Sequence, residues 1–143
     1  MKKGFTLMEL MITLVIVGIL TTIAVPSYKD YIMRARRSDG KSALMDLASQ
    51  MERFYSERNT YVGATIGGGG ANEVRSSPTS TDGWYTLAIT TQTASNFTIQ
   101  ASPNNAQATA DTTCQTLTMT NLGVKGIAAG SGGTPSGPVT KCW

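Results

Sequence analysis

The chain has 143 residues, of which 41% are hydrophobic and only 15% charged, with a formal net charge of +3. That is one small domain plus an appendage, less charged than a soluble domain usually is. There is no histidine and there are two cysteines. Histidine-based catalysis and a self-contained four-ligand zinc site are thereby excluded, and no catalytic residue, metal or cofactor is expected.

Lys2 and Lys3 precede Phe5–Val25, an apolar run of 21 residues that ends at Pro26. As a helix this run is about 31 Å long, the thickness of a bilayer core, and the lysines put its start on the cytoplasmic side. A secretory signal peptide fits poorly. The run is long, no clean small-x-small site follows it, and Glu9 sits inside it. A carboxylate at that depth costs about 2.5–3.5 kcal/mol on insertion scales, and the run offers it no cation. Its expected partner is another molecule or a newly made amino terminus. A cut between Gly4 and Phe5 would create one, and Glu9 of one copy could then neutralise Phe5 of a neighbour and set the register of assembly.

The stretch Lys3-Gly4-Phe5-Thr6-Leu7-Met8-Glu9-Leu10 resembles the processing motif of type IV pilins, of the type IVa class. The resemblance implies that residues 1–4 are a leader, that prepilin peptidase cuts after Gly4 and that Phe5 becomes the N-methylated first residue. It makes Glu9 the fifth mature residue, acting in assembly. It also implies a single-pass inner-membrane subunit with its globular domain in the periplasm. Before assembly its partners would be membrane lipid and the inner-membrane assembly machinery. Afterwards they would be other pilin subunits, in a filament on the cell surface that serves twitching motility, adhesion or DNA uptake.

Pro26 removes one main-chain hydrogen bond, and with Gly18, Thr21 and Thr22 it marks a weak place in the helix. In pilins a proline at this place is a kink. Residues 5–27 are expected as the membrane and filament-core helix. Residues 28–143 are expected as the globular domain, whose helix continues over 28–58. There Leu44, Leu47, Ala48, Met51, Phe54 and Tyr55 form one apolar stripe at helical spacing, the face for a core. Asp30–Arg34 and Arg53–Glu57 are i, i+4 charge pairs, and Gly40 is the one poor helix former. From Phe5 to Glu57 the helix is about 80 Å long, so its first half is expected to protrude. Arg34, Arg36, Arg37 and Lys41 form a basic cluster, expected as a solvated face, with phosphate or DNA contact as the other reading. No aromatic residue interleaves them, so a base-stacking platform is not indicated.

Residues 59–83 read as a loop rich in Gly, Ser and Thr. Gly67–Gly70 lacks the Lys-Ser/Thr of a phosphate-binding loop. Strands are expected over Trp84–Thr90, Asn96–Ala101 and Gln115–Thr120, with a short one over Val124–Ile127. A meander of three or four antiparallel strands covering the helix stripe makes an α+β fold. An even cysteine count in an exported chain reads as a disulfide. A Cys114–Cys142 bond would close 27 intervening residues, worth about 3–4 kcal/mol. Cys114, Leu117-Thr118-Met119, Gly123 and Cys142-Trp143 resemble the disulfide-bounded region of type IVa pilins, more narrowly of PilE-like minor pilins.

The chain therefore reads as a structural subunit of a type IV pilus, in the minor-pilin class, and not as an enzyme. Two alternatives carry specific residues. A DNA- or ligand-binding pilin would use the basic cluster together with Lys125 and Lys141. A pseudopilin of a type II secretion system would share the leader, helix and Glu9, but the C-terminal cysteine loop argues against it.

Overall fold

Thr6 starts the first helix. Its Oγ1 accepts the Glu9 main-chain N–H at 3.2 Å, the arrangement of a Thr-x-x-Glu N-terminus. The computed structural model describes residues 4–143, so Met1, Lys2 and Lys3 of the expected leader lie outside the described residues. The chain divides into two compact units, Met1–Arg34 and Ala35–Trp143. Helix α1, Leu7–Arg58, contributes to both and is continuous through Pro26.

In the first unit every large apolar side chain from Phe5 to Val25 is exposed. The hydroxyls of Thr13, Thr21 and Thr22 donate back to the carbonyls of Leu10, of Val17 and Gly18, and of Ile19 at 2.7–2.9 Å. Polar groups satisfied within the helix cost little in an apolar surrounding. Among the described residues α1 is the helix long and apolar enough to cross a membrane, and its apolar window is unburied.

In the second unit Leu44, Leu47, Met51 and Phe54 of α1 are buried, with Ala48 and Tyr55 packed at the margin. This is the expected stripe. Two short strands follow, β1 (Thr65–Ile66) and β2 (Glu73–Arg75). Then come β3 (Tyr85–Gln92), β4 (Phe97–Pro103), α2 (Asn105–Ala110), β5 (Thr116–Thr120), β6 (Lys125–Ala128) and α3 (Val139–Cys142). β3 to β6 form one antiparallel sheet in chain order, the expected meander. Alternation sends Tyr85, Leu87, Phe97, Ile99, Leu117 and Met119 inward to the helix stripe, where all are buried.

Three expectations need correction. Residues 59–83 are not loop throughout: β1 and β2 pair in parallel, anchored by the buried Val74. Strands this short show no alternation to read. Helix α2 follows Pro103, between the second and third expected strands where no helix was expected, and it buries Gln107 and Ala108. Neither Asp30–Arg34 nor Arg53–Glu57 closes into an ion pair. The pairs among the described residues are Arg37–Asp111 and Arg75–Asp46, both long-range contacts that only the fold creates.

Candidate functional site

At the chain start Gly4 and Phe5 precede α1, and Phe5 is 82% exposed. Glu9 lies in the first turn. Its carboxylate has no hydrogen-bond or ion-pair partner among the described residues. The run offers Glu9 no cation, but the helix N-terminus, whose unpaired N–H groups favour a negative charge in the first turn, eases its charge. The Thr6-x-x-Glu9 spacing was the available signal.

The basic residues of the second unit separate into different environments. Arg36 lies with its guanidinium carbon 3.6 Å from the centre of the Trp84 ring. Lys125 places its ammonium 5.2 Å from the centre of the Trp143 ring. The Trp143 indole N–H donates to Gly126 O at 2.9 Å, and Lys41 Nζ donates to Trp143 O at 3.3 Å. Burial, then the charges of Arg37 and Lys125, hold the Lys41 ammonium below the usual lysine range. Lys141 is exposed, as is Arg34 in the first unit. The expectation that no aromatic interleaves the basic residues held along the chain and fails in space. Trp84 directly precedes β3 and Trp143 lies beyond α3, too distant in sequence for any spacing rule to connect them with α1.

Arg37 is withdrawn from the candidate DNA or phosphate contacts. It is 6% exposed, and its Nε and Nη2 donate to Asp111 Oδ2 and Oδ1 at 2.6 and 2.7 Å. Asp111 also accepts the Gln107 amide at 3.1 Å and the Cys114 N–H at 3.2 Å. The Gln107 amide reaches Tyr85 Oη at 3.3 Å. A buried charge pair with its remaining lone pairs used is a structural fixture, and it ties α1 to the residues before β5.

Cys114 and Cys142 are bonded, with Cα atoms 5.5 Å apart and both side chains buried. The enclosed segment has further tethers that the sequence did not disclose. Gln115 is buried. Its amide donates to Ala108 O and Asp111 O at 3.1 and 2.8 Å, and its Oε1 accepts Gly132 N–H at 3.1 Å. In the glycine run the Glu73 carboxylate takes the Gly69 N–H, an intramolecular use of an amide that a phosphate would need.

The family model described as type IV minor pilin ComP, DNA uptake sequence receptor, matches residues 26–118. The prokaryotic N-terminal methylation motif matches residues 1–25. The fimbrial protein EcpC of Eikenella corrodens is 34% identical over 96 residues, covering 62% of this chain and 63% of that protein. The type IV major pilin protein PilA of Myxococcus xanthus is 40% identical over 60 residues, 42% of this chain and 27% of that one. The major fimbrial protein FimA of Dichelobacter nodosus is 52% identical over 42 residues, 29% and 26% of the two chains. The chain thus spans less than two thirds of EcpC and about a quarter of the other two. In fold it is similar to the non-core minor pilin PilV of Neisseria meningitidis, with a TM-score of 0.52 at 20% identity, covering 76% of this chain and 98% of that one.

Proposed function

Since the chain belongs to the type IV pilin family of minor pilin ComP, DNA uptake sequence receptor, we propose that it is a minor pilus subunit that holds DNA on its globular domain. The observation that carries the DNA reading is the pairing of basic and aromatic side chains, Arg36 with Trp84 and Lys125 with Trp143, with Lys41 held nearby by the Trp143 main-chain carbonyl. Cations neutralise phosphates, and aromatic faces beside them offer stacking and apolar contact to a nucleic acid. Lys141 adds an exposed cation in α3. The chemistry supplied is binding, and catalysis is done to this chain and not by it.

In the same proposal residues 1–4 are the leader, prepilin peptidase cuts between Gly4 and Phe5, and Phe5 is methylated. The methylation-motif match over residues 1–25 supports this reading. The helix then waits in the inner membrane with the domain on the periplasmic side. Glu9 meets the new amino terminus of a neighbour when the assembly machinery draws subunits into the filament. Pro26 is where the helix gives as it packs.

The test is a fluorescence-anisotropy titration of a labelled DNA duplex with the full chain in detergent micelles, repeated across salt concentrations. Lys125→Ala should weaken binding and lower the salt slope by about one. Trp143→Ala should weaken binding with little change of slope. Unchanged affinity in both variants overturns this interface.

A further inference from the structure

The turn between β5 and β6 holds two aliphatic side chains out in solvent: Leu122 is 80% exposed and Val124 is 60% exposed. A single exposed aliphatic group is ordinary on a protein surface. Three further features set this pair apart.

The turn is firmly built. Thr120 N–H donates to Val124 O at 3.1 Å, and Val124 N–H donates to Thr120 Oγ1 at 3.3 Å. Gly123, at φ +74°, donates to Thr120 O at 2.9 Å. Asn121 N–H donates to Phe97 O at 3.1 Å, and its side-chain amide donates to Ser95 O and Asn96 Oδ1 at 3.4 and 3.3 Å. The tip is thus braced against the turn between β3 and β4, and little backbone freedom is left to lose on binding.

Its place and its charge point to one kind of partner. Leu122 and Lys125 are three residues apart, at most about 11 Å along the chain, which is about three base-pair steps. A duplex held by Lys125 therefore comes within reach of Leu122. In residues 83–143 the single acidic side chain is Asp111, and it is buried against Arg37. The exposed charges of this half are Lys125 and Lys141, so the surface around the tip suits a polyanion. An anionic bilayer asks for a broad apolar face, which two aliphatic side chains do not make. A base step accepts a single one.

On a duplex an apolar tip can meet a thymine methyl in the major groove or open a base step from the minor groove. Reading base edges takes free hydrogen-bonding side chains beside the apolar one. Here the Asn121 amide N–H groups are spent on Ser95 and Asn96, and Gly123 has none to offer. We propose, resting on the DNA reading above, that Leu122 is a wedge that enters a base step and bends the duplex held by Lys125. Burying the isobutyl group and unstacking a step are comparable in size and opposite in sign. The wedge therefore acts on discrimination between deformable and stiff sites more than on affinity.

The test titrates short duplexes, labelled at both ends for energy transfer, with the full chain in detergent micelles. One has a central TA step, one a stiff A-tract in its place, and one has uracil for thymine. The parent should bend the TA duplex by at least about 20° and bind it at least about fivefold more tightly than the A-tract duplex. Leu122→Ser, at an exposed turn position that accepts a hydroxyl residue, should abolish the bend and bring the two affinities within about twofold. Its salt slope should equal the parent's, because Leu122 meets no phosphate. Duplex binding without a bend that depends on Leu122 overturns the wedge and leaves the DNA reading standing. A preference lost with uracil, in the absence of bending, overturns it in favour of a thymine-methyl contact. Failure of the parent to bind any duplex overturns the DNA reading and the wedge together. Binding that depends on Leu122 only on vesicles of anionic phospholipid overturns the wedge by assigning the tip to a membrane.

Discussion

Gly40 of α1 is in contact with the ring of Tyr85 in β3: a Cβ at position 40 would stand 2.9 Å from two ring carbons. Both residues are buried, and Tyr85 is fully so. The glycine that looked like a defect in the helix is the space in which the first strand of the sheet seats its largest side chain.

Gly40→Ala is therefore expected to destabilise the domain, although alanine is the better helix former by about 1 kcal/mol. Overpacking a filled core costs about 1–3 kcal/mol, and the Tyr85 ring has no solvent to move into. Denaturant unfolding of the full chain in micelles should show a net loss of up to about 2 kcal/mol. Equal or greater stability would mean that the ring yields freely.

The Arg37–Asp111 pair separates a structural charge from a functional one. Asp111→Ala strands a buried guanidinium and should cost about 3–5 kcal/mol. Replacing both partners, Arg37→Met with Asp111→Leu, should recover part of that loss, since apolar groups can match a buried ion pair but leave the Gln107 amide and the Cys114 N–H without this acceptor. The doubly substituted protein should bind a DNA duplex as tightly as the parent. A tenfold loss of DNA affinity (about 1.4 kcal/mol) in this stably folded double variant would return Arg37 to the interface.

Glu9 has two roles open to it, and one substitution parts them. Glu9→Gln keeps a side chain suited to the third helical position of a capping box but loses the charge. It should insert in the membrane and be cut and methylated normally, as read by mass spectrometry of the N-terminus. It should then enter sheared filaments at least about tenfold less than the parent when the two are co-expressed, a loss of about 1.4 kcal/mol of assembly energy. Thr6→Val removes the cap at a cost of about 1 kcal/mol and should leave assembly near normal. Equal incorporation of Glu9→Gln would sink charge pairing as the assembly device.

Alkaline pH should unfold the domain through Tyr85. Burial pushes its phenol up to about 12, against a smaller lowering effect of the Gln107 hydrogen bond. A folded-state value above the unfolded value near 10 contributes stability below pH 10 that is lost as pH rises to about 12. Lys41 acts oppositely. Its value is depressed on folding, so its unfavourable contribution is full at neutral pH and is relieved as pH climbs toward 10.5. Denaturation midpoints from pH 9 to about 12 should fall in the parent and fall less in Tyr85→Phe. Parallel curves would show that some other group carries the loss.

Periodicity made the second half of α1 and the four-stranded meander legible, because Leu44, Leu47, Met51 and Phe54 repeat at helical spacing and Tyr85, Leu87, Phe97 and Ile99 alternate. The Lys-Gly-Phe motif and Glu9 made the family legible. What stayed hidden was every contact joining residues far apart in the chain. Arg37 looked like one cation among four, because its partner lies 74 residues on. The sequence connected neither tryptophan with a cation, because Arg36 and Lys125 reach them only in the folded domain. Charge sign and spacing report which residues share a helix face, and they are silent about which of those faces the fold will cover.

The meander and the Cys114–Cys142 bond together impose an order in time. All four strands of the sheet precede Cys142 in the chain. A domain emerging N-terminus first could zip β3 to β6 before the second thiol arrives. Oxidation then acts as a latch thrown on a finished sheet and not as a guide to it, so a Cys142 that still reacts with a thiol reagent marks a subunit short of its last covalent step and says nothing against its strands being paired.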